Sequence, residues 1–417
     1  MSSQPRVYSV RDRASIVNTL TARRFDTLLP QVMRETGFDM WLIIGNEDNH
    51  DPIFRTLIPW ECWAPILQMV IFYDTGTSIE RINISRTNMM GLMPPSPWNI
   101  TDNEDQWACL KRLIAECNPK RIGINQSNII WAADGLTAGL KECLIQTLGP
   151  DLSSRLESAE SLCIRWLETL IPEEIELYHH ANAIAHHLIQ KVFSRQTITP
   201  GITTIEDMRW AYWQHATDLG LTVSFPPFYR IYRSQVDKTI YGENDRIVRH
   251  GDMLHCDVGV IYLRLNTDHQ ELAYVLRPGE TDVPTGLKYG MAEGNRLQDI
   301  FTSSWEINKS GNDILARALK RAKEAHIPNP KIYSHSLGHY LHEPGPLMGL
   351  PWDQGHIPGR GNVKMSPNTC YTVELSVACS VPEWNNQEVT FPIEQDAYIT
   401  SLGVTYIHGR QTAFHVI

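Results

Sequence analysis

Gly251-Asp252-Met253-Leu254-His255-Cys256-Asp257-Val258-Gly259-Val260-Ile261-Tyr262-Leu263-Arg264-Leu265-Asn266-Thr267-Asp268 is the stretch from which the fold is read. Its first half is apolar and β-prone and carries Asp257 inward. Asp268 follows eleven residues later, at the expected return of a β-hairpin. Two carboxylates are thereby delivered to one place.

Three further stretches extend the pattern. His335-Ser336-Leu337-Gly338-His339-Tyr340-Leu341-His342-Glu343-Pro344 is rich in histidine, Tyr371-Thr372-Val373-Glu374-Leu375 sets an acid in an apolar strand, and Phe391-Pro392-Ile393-Glu394-Gln395 does so again. Taken singly, each acid reads as a surface residue and each histidine as a structural one. Taken together they do not, because an ionised carboxylate in an apolar strand needs a partner and few basic residues lie nearby in sequence. Four carboxylates balance two divalent cations, with His335 neutral, and such oxygen-rich ligation suits hard ions.

The order of these motifs resembles the pita-bread metallopeptidases, the family of methionine aminopeptidase, Xaa-Pro aminopeptidase and prolidase. In that family an Asp-x-Gly strand, an Asp eleven residues on, a His in a His-Gly-x-Gly-type turn, a Glu in a Thr-x-Glu strand and a last Glu bind two metal ions. The positions that match are Asp257, Asp268, His335, Glu374 and Glu394. The resemblance implies that Asp257 chelates one ion, Asp268 and Glu394 bridge, and His335 with Glu374 holds the other. Glu374 would also shuttle the proton of the attacking water. His335 and His342 are seven apart, as are the family's metal-binding and carbonyl-steadying histidines, so His342 is assigned a catalytic role and His339 a place as an added substrate neighbour. Manganese is the expected metal, with iron, cobalt and zinc as alternatives. Pro200-Gly201-Ile202-Thr203-Thr204-Ile205-Glu206 looks like the family's Pro-Gly-x-Thr-x-x-Glu passage, so the likeness spans residues 172–417.

The substrate side departs from the family. Its further histidine, seventeen or eighteen residues before the first Asp, falls in Asp237-Lys238-Thr239-Ile240-Tyr241, which has none. Prolidase-type members carry Arg two residues before the last Glu, where this chain has Pro392, and the His-Gly turn has become His335-Ser336.

With 417 residues the chain exceeds what one core usually serves, and a 42% hydrophobic, 20% charged composition is that of a globular protein. Alternating strands and helices between Met40 and Thr147 indicate a small α/β domain. Its position and length resemble, more weakly, the creatinase-like domain that precedes the catalytic domain in Xaa-Pro aminopeptidases and prolidases. The expected architecture is therefore an α/β creatinase-like N-terminal domain over residues 1–165 and an α+β pita-bread catalytic domain over residues 172–417.

A helix with Pro30 as a kink is expected over Asp12 to Gly37, followed by strands at Met40–Gly45, Leu67–Tyr73, Ile82–Ile84 and Arg121–Ile124, and helices at Asp105–Glu116 and Gly135–Thr147. Pro172 suits the first turn of a long amphipathic helix, Thr204 caps the next, and another helix covers Asn312 to Ala325. Residues 226–249 read as a polar, turn-rich connection and the last ninety as β-rich. His179-His180 and His186-His187 are expected on a solvated face. Trp60 and Trp63 are expected in a core, with a dimer partner's active-site wall as the alternative.

A formal net charge of −10 without a basic stripe excludes nucleic acid as a partner. No apolar segment suggests a signal peptide or membrane span, so the expected location is cytoplasmic. Cys62, Cys109, Cys117, Cys143, Cys163, Cys256, Cys370 and Cys379 have no paired spacing and are expected as free thiols. The expected activity is a metal-dependent aminopeptidase or dipeptidase acting at Xaa-Pro, on small peptides, as a homodimer. The alternatives are a hydrolase or lyase of a non-peptide small molecule, since the same fold hosts creatine hydrolysis and sulfonium-propionate cleavage, and an inactive binding protein.

Overall fold

The computed structural model describes residues 5–417. The chain divides into two compact units, one of Tyr8–Glu173 and one of Glu174–Ile417 together with residues 5–7.

The first unit opens on a helix, Val10–Arg23, that passes through a π turn at Arg24–Leu28 into Leu29–Thr36. Pro30 does not break it. The distortion falls one turn earlier, and Pro30 sits where a missing N–H costs little. Gly37 ends the helix in the left-handed conformation (φ 76°). The chain then enters strands β1 (Met40–Asn46), β2 (Leu67–Asp74), β3 (Ile79–Asn83), β4 (Ile122–Ile124) and β5 (Leu156–Ser158), arranged β3-β2-β1-β4-β5. The helices Gln106–Cys117 and Ala138–Ser153 are capped by Asp105 and Thr137 and pack Leu110, Ile114 and Leu144 onto Leu42, Ile44 and Ile71. The second helix runs past Thr147 by bending at Gly149.

A polar knot is buried beside Trp41. Its indole Nε1 donates to Asn125 Oδ1 at 2.8 Å, and Asn125 Nδ2 donates to Asp51 Oδ1 and Oδ2 at 3.0 and 2.9 Å. Trp63, by contrast, is 72% exposed and packs in no core; Trp60 is half-buried.

The second unit begins in the helix Pro172–Val192 and continues in Ile205–Asp218, whose start is closed by reciprocal bonds between Thr204 and Asp207. Strands β6 (Thr222–Val223), β7 (Phe228–Tyr232), β8 (Met253–Val258), β9 (Val260–Tyr262), β10 (Leu265–Asn266) and β11 (His269–Tyr274) follow. Residues 226–249 are thus not a loop: they contain β7 and a helix, Gln235–Tyr241. Pro226-Pro227 signals a turn, but the five residues after it form an edge strand along β8.

After the helices Thr285–Thr302 and Gly311–Glu324 come β12 (Lys331–Tyr333), β13 (Ser336–Leu337), β14 (Thr369–Thr372), β15 (Glu374–Val381), β16 (Gln387–Ile393), β17 (Asp396–Thr400), β18 (Gly403–Tyr406) and β19 (His415–Val416). They form sheets ordered β10-β9-β6, β19-β11-β8-β7, β12-β15-β16 and β13-β14-β17-β18. Leu287, Met291, Leu297 and Phe301 pack on Val377, Phe391 and Ile393 to make the core. Gly290 permits this approach, since a Cβ there would lie 2.2 Å from the Phe391 ring. All eight cysteines are free, five of them buried.

Candidate metal centre

Period-two geometry places the acids. In β8, His255 and Asp257 share one face, while Cys256 points to the other. Antiparallel pairing sets Asp257 opposite Gln270 of β11 and opposite Phe228 of β7. Gly259 ends β8, and a two-residue turn, Leu263-Arg264, joins β9 to β10 with both residues at positive φ (54° and 66°). This hairpin returns the chain so that Asp268 immediately precedes β11.

Glu394 arrives from the end of β16. Its N–H and carbonyl exchange bonds with Gln270 at 3.0 and 3.1 Å, which docks β16 beside β11 at this point. Glu374 opens β15, opposite Tyr333. His335 lies between β12 and β13. Its carbonyl accepts from Thr372 N at 3.0 Å, and its Nδ1 lies 3.1 Å from the Ser336 carbonyl. Because a carbonyl only accepts, Nδ1 carries the proton, and Nε2 turns its lone pair toward Asp268 Oδ2, 3.8 Å away.

Asp268, His335 and Glu394 each offer one ligand atom within 4.8 Å of the others, and all three residues are buried. Asp268 Oδ1, His335 Nε2 and Glu394 Oε1 have no hydrogen-bond partner. Three buried, inward-facing lone-pair atoms form a donor set that fits a cation. Burial and the neighbouring acids push Asp268 and Glu394 well above the usual carboxylate range. Asp257 is pushed up to about 7 by burial, against the pull of Arg230, and Glu374 to about 8 by burial and Asp257. Burial, with His342 alongside, holds His335 neutral. Among the described residues no lysine or arginine forms an ion pair with any of the four acids.

Asp257, Gln270 and Glu374 line a cleft of about 820 Å³, together with Phe228, Arg230 and Tyr333. Asp268, His335 and Glu394 lie outside that lining. His342 is exposed, and its ring stands edge-on to His335 at 4.4 Å between centroids. Its Nε2 is 3.5 Å from Tyr333 Oη. His339 does not line the cleft; its Nε2 lies 3.3 Å from Glu174 Oε1, and Glu174 is buried. The histidine pairs of the helix Pro172–Val192 form no metal-capable group among the described residues. His186 is nevertheless not on a solvated face. It turns inward, 2.8 Å from His408 Nδ1 and 2.9 Å from Gln395 Oε1.

Sequence reading did not single out Gln270, Arg230 or Lys331. Gln270 was open to discovery, because a residue two after an inward acid shares its face. The two cations lie on strands whose cleft-facing side no motif marks.

A family model described as metallopeptidase family M24 matches residues 176–401. No curated protein sequence matches. Similar solved structures include an X-Pro aminopeptidase from Thermotoga maritima MSB8, at 14% identity and a TM-score of 0.63, covering 93% of this chain and 100% of that one. An Xaa-Pro dipeptidase from Bacillus anthracis aligns at 15% identity and 0.59, covering 97% and 100%. A prolidase from Pyrococcus horikoshii OT3 aligns at 14% and 0.55, covering 96% and 99%. The fold is accordingly a creatinase-like α/β unit followed by an α+β pita-bread unit.

Proposed function

The chain belongs to metallopeptidase family M24, and from that premise we propose that it hydrolyses Xaa-Pro or a similar short amide bond, with two divalent metal ions held by Asp257, Asp268, His335, Glu374 and Glu394. The observation that carries this reading is the set of unpartnered lone-pair atoms of Asp268, His335 and Glu394, buried beside a cleft that is itself lined by two more acids. Four carboxylates gathered at one place, two of them fully buried, call for a neutralising partner, and among the described residues none of the four forms an ion pair with a lysine or arginine.

When bound, such ions supply a nucleophilic hydroxide near neutral pH and polarise the scissile carbonyl. The protein's own groups do the rest. Glu374, which lines the cleft, would take the proton of the attacking water and return it to the leaving amine. His342, beside His335, would steady the carbonyl or its developing oxyanion. Arg230 and Lys331 line the same cleft, form no ion pair among the described residues and suit the free carboxylate of a short peptide. Manganese is proposed as the metal, a homodimer as the assembly and the cytoplasm as the location. No described helix is long and apolar enough to cross a membrane.

The test is to strip the protein with a chelator, return manganese and assay Xaa-Pro dipeptides against longer Xaa-Pro peptides. Manganese-restored cleavage is expected, with dipeptides preferred. Metal uptake without peptide cleavage would instead favour the small-molecule hydrolase or lyase. Two departures on the substrate side support that second reading: Pro392 lines the cleft where prolidase-type members are expected to carry Arg, and residues 237–241 provide no histidine.

A further inference from the structure

β12 lies at the edge of the sheet β12-β15-β16, and the chain that follows it closes that edge. Ser334 exchanges backbone bonds with Met348 at 3.0 and 2.9 Å. At Ile332 the partner is a side chain. Gln354 Oε1 accepts from the Ile332 N–H at 2.8 Å and Gln354 Nε2 donates to the Ile332 carbonyl at 2.8 Å, so a carboxamide stands where a strand residue would. The same Nε2 donates to the Leu350 carbonyl at 2.8 Å, and Leu350 and Asp353 exchange backbone bonds at 2.8 and 3.0 Å. The turn Leu350-Pro351-Trp352-Asp353 is thereby closed on itself and fastened to β12. Pro351 and Gln354 line the cleft, and Trp352 between them is 80% exposed. A single exposed apolar side chain is ordinary. An indole held still on a fastened turn at the rim of a cleft is preorganised for contact, because little further ordering is needed when a ligand arrives.

We infer that Trp352 is a specificity-determining residue: its indole packs on the side chain of the substrate's N-terminal residue, so that the enzyme favours Xaa-Pro peptides in which Xaa is large and apolar. This rests on the peptidase reading proposed above and names the substrates of that site. Two directions lead away from Glu374 in the cleft. Along the strands, Tyr333 stands opposite Glu374, and Lys331, opposite Ser376, follows one side-chain repeat later, about 6.8 Å away. That direction belongs to the free carboxylate, which Lys331 and Arg230 suit. Across the strands, β12 separates the fastened turn from β15, which carries Glu374, so the turn lies two strand spacings from β15, or about 10 Å. The backbone of one peptide residue spans only about 3.5 Å. The remaining distance is closed by two side chains, that of the residue on the other side of the scissile bond and the indole of Trp352. Glycine at that position leaves the indole in water, whereas leucine or phenylalanine covers it and is itself covered.

The test compares kcat/KM for Gly-Pro, Leu-Pro and Phe-Pro in the manganese-loaded full chain and in its Trp352→Ala and Trp352→Phe variants. The wild type is expected to favour Leu-Pro and Phe-Pro over Gly-Pro by about tenfold or more, mostly through KM. Trp352→Ala should bring these ratios to within about threefold, and Trp352→Phe should restore most of the preference. At 80% exposure the indole is not needed for folding, so the circular dichroism of both variants should match the wild type. A wild type without the preference, a preference unmoved in Trp352→Ala, or an equal loss on Gly-Pro and Phe-Pro would overturn the inference and leave the peptidase reading intact. So would a dimer that Trp352→Ala splits into monomers by light scattering, since the indole would then serve a contact between copies. No cleavage of any of the three peptides by the manganese-loaded wild type would overturn that reading and the inference with it.

Discussion

A guanidinium at the mouth of an acid-rich cleft, with no ion pair of its own, is held by something other than charge. Arg230 lies over the rings of Phe228 and Tyr232, 5.2 and 5.8 Å from their centroids, and its Nη1 is 3.3 Å from Tyr232 Oη. Aromatic contacts of this kind position the group while leaving most of its donors for an incoming anion. Arg230→Ala is therefore expected to raise KM for a dipeptide with a free C-terminus by roughly tenfold to a hundredfold, about 1.5–3 kcal/mol. The amidated dipeptide should respond little, and manganese content should not change. Equal losses on both substrates would show that Arg230 acts through the fold of the cleft instead. His335→Ala should behave oppositely, abolishing tight manganese binding by calorimetry before any effect on substrate is measurable. These two residues also mark how far single positions were legible. His335 stands out as a candidate ligand because a family motif surrounds it. Arg230 does not, because its meaning comes from a cleft assembled by strands more than a hundred residues apart.

At the level of elements, the hairpin between Asp257 and Asp268 sets the distance between two candidate ligands. Its tightest point is Gly259, where an added Cβ would lie 1.9 Å from the Thr267 carbonyl oxygen and 3.0 Å from Ser224 Oγ. The first contact is with backbone and cannot be relieved by a rotamer change. Gly259→Ala should cost roughly 1–3 kcal/mol and, by parting the strands that carry the two acids, weaken manganese binding as well. Denaturant midpoints together with calorimetry check this; a destabilised protein with unchanged manganese affinity would mean that the acids hold their places without the hairpin. The alternating acids of this hairpin were readable from period two, and the capped helix at Thr204 from its Thr-x-x-Asp spacing. Strand β7 was not, because Pro226-Pro227 outweighed a five-residue edge strand. The Leu263-Arg264 turn was also hidden, since neither residue is one that favours positive φ.

For the whole molecule, the two units should answer to different solution variables. Near Pro172 the sequence changes from alternating strands and helices to a long amphipathic helix, but nothing local marked Asp51 as a buried acid. Manganese at a hundred times its dissociation constant should stabilise the protein by about 2.7 kcal/mol through the ligands of the second unit, seen as a melting shift that a chelator reverses. The first unit should respond to pH. Burial pushes the Asp51 carboxyl from an ordinary value of 3.8 up to about 7, against the bonds from Asn125 and the Ile53 N–H. The folded state therefore binds this proton more tightly than the unfolded one. Stability is greatest below the unfolded value and falls as pH rises through the window from about 4 to about 7, by up to about 4 kcal/mol. Asp51→Asn keeps Oδ1 for the Ile53 N–H but sets its own amide against Asn125 Nδ2, a cost of about 1 kcal/mol at every pH. The variant should thus be slightly less stable than the wild type at pH 4 and more stable at pH 8. Unfolding free energies across this range, with manganese saturating so that the metal centre contributes equally to both proteins, give the difference directly. A difference that stays flat from pH 4 to 8 would mean that Asp51 is already ionised in the folded protein, and that the Asn125 and Ile53 donors outweigh its burial.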